Sequence, residues 1–105
     1  VRAAVLEAEI LRKLGADRSY GPHGTRHPFF PALRGTFDAG RCLVLLLEYC
    51  PGGSLHAHVN VSLRDRGTGF EQARAAFYAA EIALAMRHLH THGVVHRDIK
   101  LENVL

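Results

Sequence analysis

His96-Arg97-Asp98-Ile99-Lys100-Leu101-Glu102-Asn103-Val104-Leu105 decides how the chain is read. Five of its polar residues sit at fixed offsets: His, Arg, Asp, then Lys two positions after the Asp and Asn five after it. Asp98 can accept a proton from a hydroxyl nucleophile or orient it. Lys100 can reach toward the same place and offset negative charge. Asn103 has an amide oxygen of the kind a hard cation such as Mg²⁺ prefers. Arg97 puts a fixed positive charge beside Asp98, suited to pairing with an anion such as a phosphorylated loop. His96 reads as a packing residue. An extended loop would gather these groups, whereas a helix would turn Asp98 and Lys100 to different faces. The plain alternative is a charged surface loop after a helix end.

Upstream, Gln72 to His92 reads as the longest helix. Ala73, Phe77, Ala80 and Leu84 form one apolar stripe, and Tyr78, Ile82, Met86 and Leu89 form another. So wide an apolar arc predicts a buried helix. Glu71 suits its start and Gly93 can end it. His88 and His92 lie four apart on one face, a spacing that metal ligands use. No Glu follows His88 as in the His-Glu-x-x-His helix, and a polar helix end accounts for the pair. Val94-Val95 then leads into the loop as a short extended piece.

Further back, Ser54 can cap a short helix over Leu55 to about Val59, with Asn60 to Gly69 polar and read as loop whose start can be helical. Pro51-Gly52-Gly53 stops the segment before it. Cys42 to Leu47 is a continuous apolar run of the length of a buried strand. It pairs with Leu33–Phe37 as a hairpin across an Asp38-Ala39-Gly40-Arg41 turn. Gly15 to Arg26 is rich in Gly, Pro, Ser and Asp and reads as a surface loop. Val1 to Leu14 reads as a helix, with Val1, Val5 and Ala8 on one stripe and Leu6, Ile10 and Leu14 on another. Gly15 is placed just past its end. Glu7 and Leu11 share a face of it.

Composition limits the function classes. The 105 residues carry a formal charge of +3 with the eight His neutral, and 48% are hydrophobic. That is enough for one small domain with a modest core. The basic residues are scattered, which argues against nucleic acid as a partner. Cys42 and Cys50 form no paired motif and fit buried packing in a reducing compartment. No apolar run is long enough to span a bilayer and no leader pattern is present, so the expected location is intracellular, in the cytoplasm. Asn60-Val61-Ser62 matches a glycosylation sequon and is read as chance.

The loop's residue order resembles the catalytic loop of protein kinases. Arg26-His27-Pro28-Phe29-Phe30, Glu48-Tyr49-Cys50-Pro51-Gly52-Gly53-Ser54-Leu55, Phe77-Tyr78-Ala79-Ala80-Glu81-Ile82 and Leu89-His90 all resemble the AGC group of serine/threonine kinases, in that group's order. The resemblance runs from about Leu6 to Leu105 and is interrupted at 15–26, which looks like an insertion, and at 60–69. It implies an α+β, two-lobe kinase fold that is incomplete here. Residues 1–47 would be part of the small lobe, 48–53 the hinge and 54–105 part of the large lobe.

The resemblance also implies roles. Asp98 would be the catalytic aspartate, with Lys100 beside it, and Asn103 would bind Mg²⁺. Glu7 would pair with the ATP-binding lysine. Leu11, Leu33 and His96 would belong to the packed spine that couples the Glu7 helix to the active site. Leu47 would be the gatekeeper behind the adenine, and Glu48 and Cys50 would offer backbone C=O and N–H to its edge. The implied reaction moves the γ-phosphate of ATP to Ser or Thr hydroxyls of a protein substrate. Ser54 stands where many of that group carry an acid, His96 where Tyr is common, and Leu101 where Pro is common.

The sequence holds no Gly-rich loop, no lysine strand and no Asp-Phe-Gly. Both ends read as cuts through a fold, so the expectation is part of a kinase domain, inactive alone, with strand edges exposed. Two other classes stand beside it: a pseudokinase or kinase-like binding module without transfer, and a small metal protein built on the His pair.

Overall fold

In the computed structural model, residues 2–21 and 23–105 are described. The expected place of Val1 on a helix stripe and of Pro22 in the loop lie outside them. The chain forms two compact units, Val1–Tyr49 and Cys50–Leu105.

The first unit opens with α1, Arg2–Ala16. It runs past Gly15, which was expected to terminate it. The turn closes instead at Asp17, whose N–H donates to the carbonyl of Lys13 at 3.2 Å. Ala8 and Leu14 are its buried residues. The loop after it is not open. Tyr20 and Thr25 exchange backbone hydrogen bonds of 3.2 and 2.9 Å, and Tyr20 stacks on the buried ring of His27, centroids 4.4 Å apart.

β1, Leu33–Asp38, and β2, Leu43–Leu47, pair antiparallel. The turn is set by Asp38, whose Oδ1 accepts from the N–H of Gly40 at 2.8 Å, and Gly40 itself sits at φ 76, where a side chain would be strained. Cys42 falls outside the strand and is exposed rather than packed, and Cys50 is half-buried. The run to Leu47 is not buried on both faces as its continuous hydrophobicity predicted. Leu43, Leu45 and Leu47 are half-buried while Val44 and Leu46 are exposed. The reason is that α1 packs against this two-stranded sheet while the alternate side chains point to solvent. The Arg12 guanidinium donates to the Thr36 hydroxyl at 2.9 Å, fastening α1 to β1.

The second unit holds α2, Leu55–Arg66, and α3, Gln72–Thr91. Ser54 caps α2 as expected, its Oγ accepting from the N–H of Ala57 at 3.3 Å. The helix is more than twice the length predicted: the polar stretch from Asn60 to Arg66 is helical. Its stop is Gly67, left-handed at φ 71, whose N–H reaches the Leu63 carbonyl at 2.9 Å. Ser62 explains how a polar face could be helical, since its buried hydroxyl donates to the Gly69 carbonyl at 3.0 Å. α3 ends at Thr91, one residue earlier than predicted. Its broad apolar arc is not buried throughout: Ala85 and Leu89 are, but Phe77 is 61% exposed.

Candidate active site

The loop from Val94 is fastened at both ends within the second unit. The Val94 N–H donates to the Leu89 carbonyl at 3.0 Å, which ties the entry to α3. At the exit, the Leu55 N–H of α2 donates to the Val104 carbonyl at 2.8 Å. Between these anchors the path is not uniformly extended. Arg97 takes a left-handed φ of 70, the one non-Gly residue to do so among those described, a conformation that costs a side-chain-bearing residue energy. A 3-10 turn, Leu101–Asn103, then brings Asn103 back toward Asp98.

Three groups meet as a result. Lys100 Nζ lies 3.0 Å from Asp98 Oδ2. Asn103 Nδ2 donates to that same oxygen at 3.0 Å and to the Asp98 backbone carbonyl at 2.9 Å. The hydrogen bond from Lys100, and then that from Asn103, hold the Asp98 carboxyl below the usual aspartate range. The carboxylate is therefore ionised at neutral pH. Its Oδ1 takes no hydrogen bond among the described residues and is open to a donor. Because the Asn103 amide nitrogen is committed to Asp98, its amide oxygen is left as an acceptor, which fits a hard cation. His96 is exposed rather than packed, and its Nδ1 accepts from the Asp98 N–H at 3.2 Å. It orients the aspartate's backbone, a role its spacing did not announce.

The remaining predicted residues lie as follows. Glu7 is exposed on α1, and Leu11 one turn on is half-buried. Leu47 ends β2 and is half-buried. The Glu48 N–H donates to the Ala32 carbonyl at 2.8 Å, extending the hairpin by one bond. Its backbone carbonyl makes no bond among the described residues, and neither does the Cys50 N–H. The Glu48 side chain has a use the sequence did not reveal. Its Oε2 accepts from the Ala32 N–H at 2.9 Å and from Arg26 at 3.2 Å. These two bonds, the backbone one first, hold its carboxyl below the ordinary value. Residues 22 apart in sequence give no periodic signal of such a pair. His88 and His92 stack with ring centroids 4.5 Å apart, and His92 Nδ1 approaches the His88 carbonyl at 2.9 Å, as a helix end does. No helix among the described residues is long and apolar enough to cross a membrane.

Comparison with known proteins agrees with the loop. The family described as the protein kinase domain matches residues 21–105. The chain is 41% identical, over all of its length, to protein kinase PINOID 2 of Oryza sativa subsp. japonica, covering 18% of that protein. It is 47% identical to protein kinase C of Drosophila melanogaster over 75% of its length, covering 10% of that protein. A serine/threonine-protein kinase of Arabidopsis thaliana is 44% identical over 97% of the chain, which spans 15% of the relative. The chain thus spans under a fifth of the length of these relatives. With its α+β architecture, it belongs to the protein kinase family, as part of a protein kinase domain.

Proposed function

We propose that this chain supplies the catalytic loop and part of the nucleotide-binding frame of an ATP-dependent kinase that phosphorylates Ser or Thr hydroxyls of proteins. The observation that carries the reading is the Asp98 carboxylate gripped on one oxygen by Lys100 and Asn103, with the other oxygen open. A substrate hydroxyl donating to Oδ1 would be aimed at the γ-phosphorus. Its oxygen forms the new P–O bond, the bond to the β-phosphate oxygen breaks, and the hydroxyl proton leaves toward Asp98. Lys100 adds positive charge where the phosphoryl group carries its negative charge. Mg²⁺, held at the Asn103 amide oxygen, would supply charge neutralisation on the ATP phosphates. Glu7 would pair with the ATP lysine, and Leu47, the Glu48 carbonyl and the Cys50 N–H would frame the adenine.

The test is phosphate transfer by the intact kinase that contains this segment. Asp98→Asn is expected to abolish incorporation into a Ser/Thr peptide while nucleotide still binds. Undiminished transfer in that variant would overturn the assignment, and binding of ATP without transfer by the native protein would make it a pseudokinase.

A further inference from the structure

Arg12, Arg18, Arg26 and Arg34 line one recess of the first unit, together with Leu11 and Leu33. It is open to solvent, with a volume of about 470 Å³. The four arginines come from four separate places: the end of α1, the loop after it, the segment ahead of β1, and β1 itself. No helical or strand period collects them.

Two backbone features bring them there. The strand register slips between Leu33 and Gly35, which leaves Arg34 without a cross-strand partner. Such a bulge re-aims a side chain. In the loop, the Tyr20–Thr25 bridge folds the chain back over Arg18. Gly24 makes that fold possible: it sits at φ 62, and a Cβ there would come within 3.1 Å of the Arg18 carbonyl oxygen.

The charges do not balance. Arg26 is tied to Glu48 at 3.2 Å and to the Phe30 carbonyl. Arg12 donates to a neutral hydroxyl. Neither Arg12, Arg18 nor Arg34 has an ion pair with a carboxylate among the described residues. Among the described residues, Arg26 alone of the four is paired with a carboxylate. Like charges lining one recess repel, and a dianion bound there lowers that repulsion. Guanidinium forks match tetrahedral oxyanions through paired N–H bonds, and a carboxylate offers too few oxygens for several forks.

We propose that this recess binds a phosphate monoester dianion, gripped chiefly by Arg18 and Arg34. Free phosphate and a phosphorylated Ser or Thr side chain share that chemistry. The site does not depend on the transfer chemistry proposed above.

Calorimetric titration of the full-length kinase with inorganic phosphate and with a phosphoserine peptide tests it, with sodium chloride matched for ionic strength as control. Saturable binding of either probe is expected, weakened at least tenfold in the Arg18→Gln/Arg34→Gln variant. Arg34→Lys, which keeps the charge and loses the fork, is expected to fall between. A peptide binding much tighter than inorganic phosphate identifies a phosphorylated side chain as the source, and equal affinities identify free phosphate. The KM for ATP should be unchanged in these variants, so loss of transfer activity would be read separately. No saturable binding by the native protein, or equal binding by the double variant, overturns the proposal. If the double variant does not fold, the native titration and Arg18→Gln alone still decide it.

Discussion

One amide nitrogen of Asn103 serves both the backbone carbonyl of Asp98 and its carboxylate, at 2.9 and 3.0 Å. The side chain that ends the motif thus fixes the position of the residue at its centre. Asn103→Ala removes both bonds together with the amide oxygen proposed to meet Mg²⁺. Phosphate transfer by the intact kinase should drop by about 10²-fold or more. Asn103→Asp keeps an oxygen for the cation but offers no N–H to Asp98, and should also lose activity. Steady-state rates with a Ser/Thr peptide measure both, and native-like turnover in either would contradict the arrangement.

The grip of Lys100 on Asp98 has a pH signature. Hydrogen bonds favour the ionised carboxyl, so its folded pKa lies below the usual aspartate value of about 3.9. A depressed value means the interaction's stabilisation is complete above roughly pH 4 and is lost as pH falls through the lower folded value. Lys100→Met should move the Asp98 titration upward, toward the ordinary value. Carbon NMR of the Asp98 carboxyl would follow it, and an unmoved midpoint would show that Lys100 is not the cause.

The Glu48 carboxylate binds Ala32 and Arg26 at the entry of β1. Glu48→Gln keeps the size and loses the charge. Amide exchange at Ala32 should accelerate several-fold, with the amides of the α2 interior unchanged. Equal protection at Ala32 would mean that the backbone pairing suffices without the side chain.

α2 is delimited by side chain and backbone separately. Ser54→Ala removes the cap at Ala57 and should cost about 1 kcal/mol. Gly67→Ala forces a Cβ into a left-handed residue at φ 71 and should cost about 1–2 kcal/mol. Leu89→Ala, in a residue 3% exposed, should cost more, about 2–5 kcal/mol. Denaturant melts of the intact domain give all three, and the reverse order would relocate the core.

Phe37, Val44, Leu46 and Phe77 are each 47% exposed or more on the 105-residue chain. Expressed by itself, the chain should bind an apolar dye and melt broadly. A sharp cooperative melt from a monomer would contradict this.

The loop at 96–103 was legible because its side-chain types stand at fixed offsets. Asp98, Lys100 and Asn103 meet as those offsets implied, and the Ser54 cap and the β1–β2 hairpin were legible for the same local reason. What the sequence concealed was set by backbone bonds and distant partners. The polar run after Val59 carries no apolar period, yet Ser62 and Gly67 make it helical. Gly15 looked like a stop, but nothing there demands a left-handed residue. His96 looked like packing, but its ring serves a neighbouring amide. The Arg26–Glu48 pair and the arginine recess join positions that no periodicity connects. Burial was overestimated for β2 and α3 because hydrophobicity reports what a face prefers, not what covers it.

The bond from Leu55 to Val104 limits what can be engineered here. Position 55 opens a helix, where proline is ordinarily welcome because the first amide has no helical acceptor. In this chain that amide is already spent on the far end of the loop that carries Asp98. The substitution most often used to stiffen a helix entrance would therefore release the aspartate's loop, so the stabilising repertoire of α2 and the tolerance of the chemistry oppose each other at a single nitrogen.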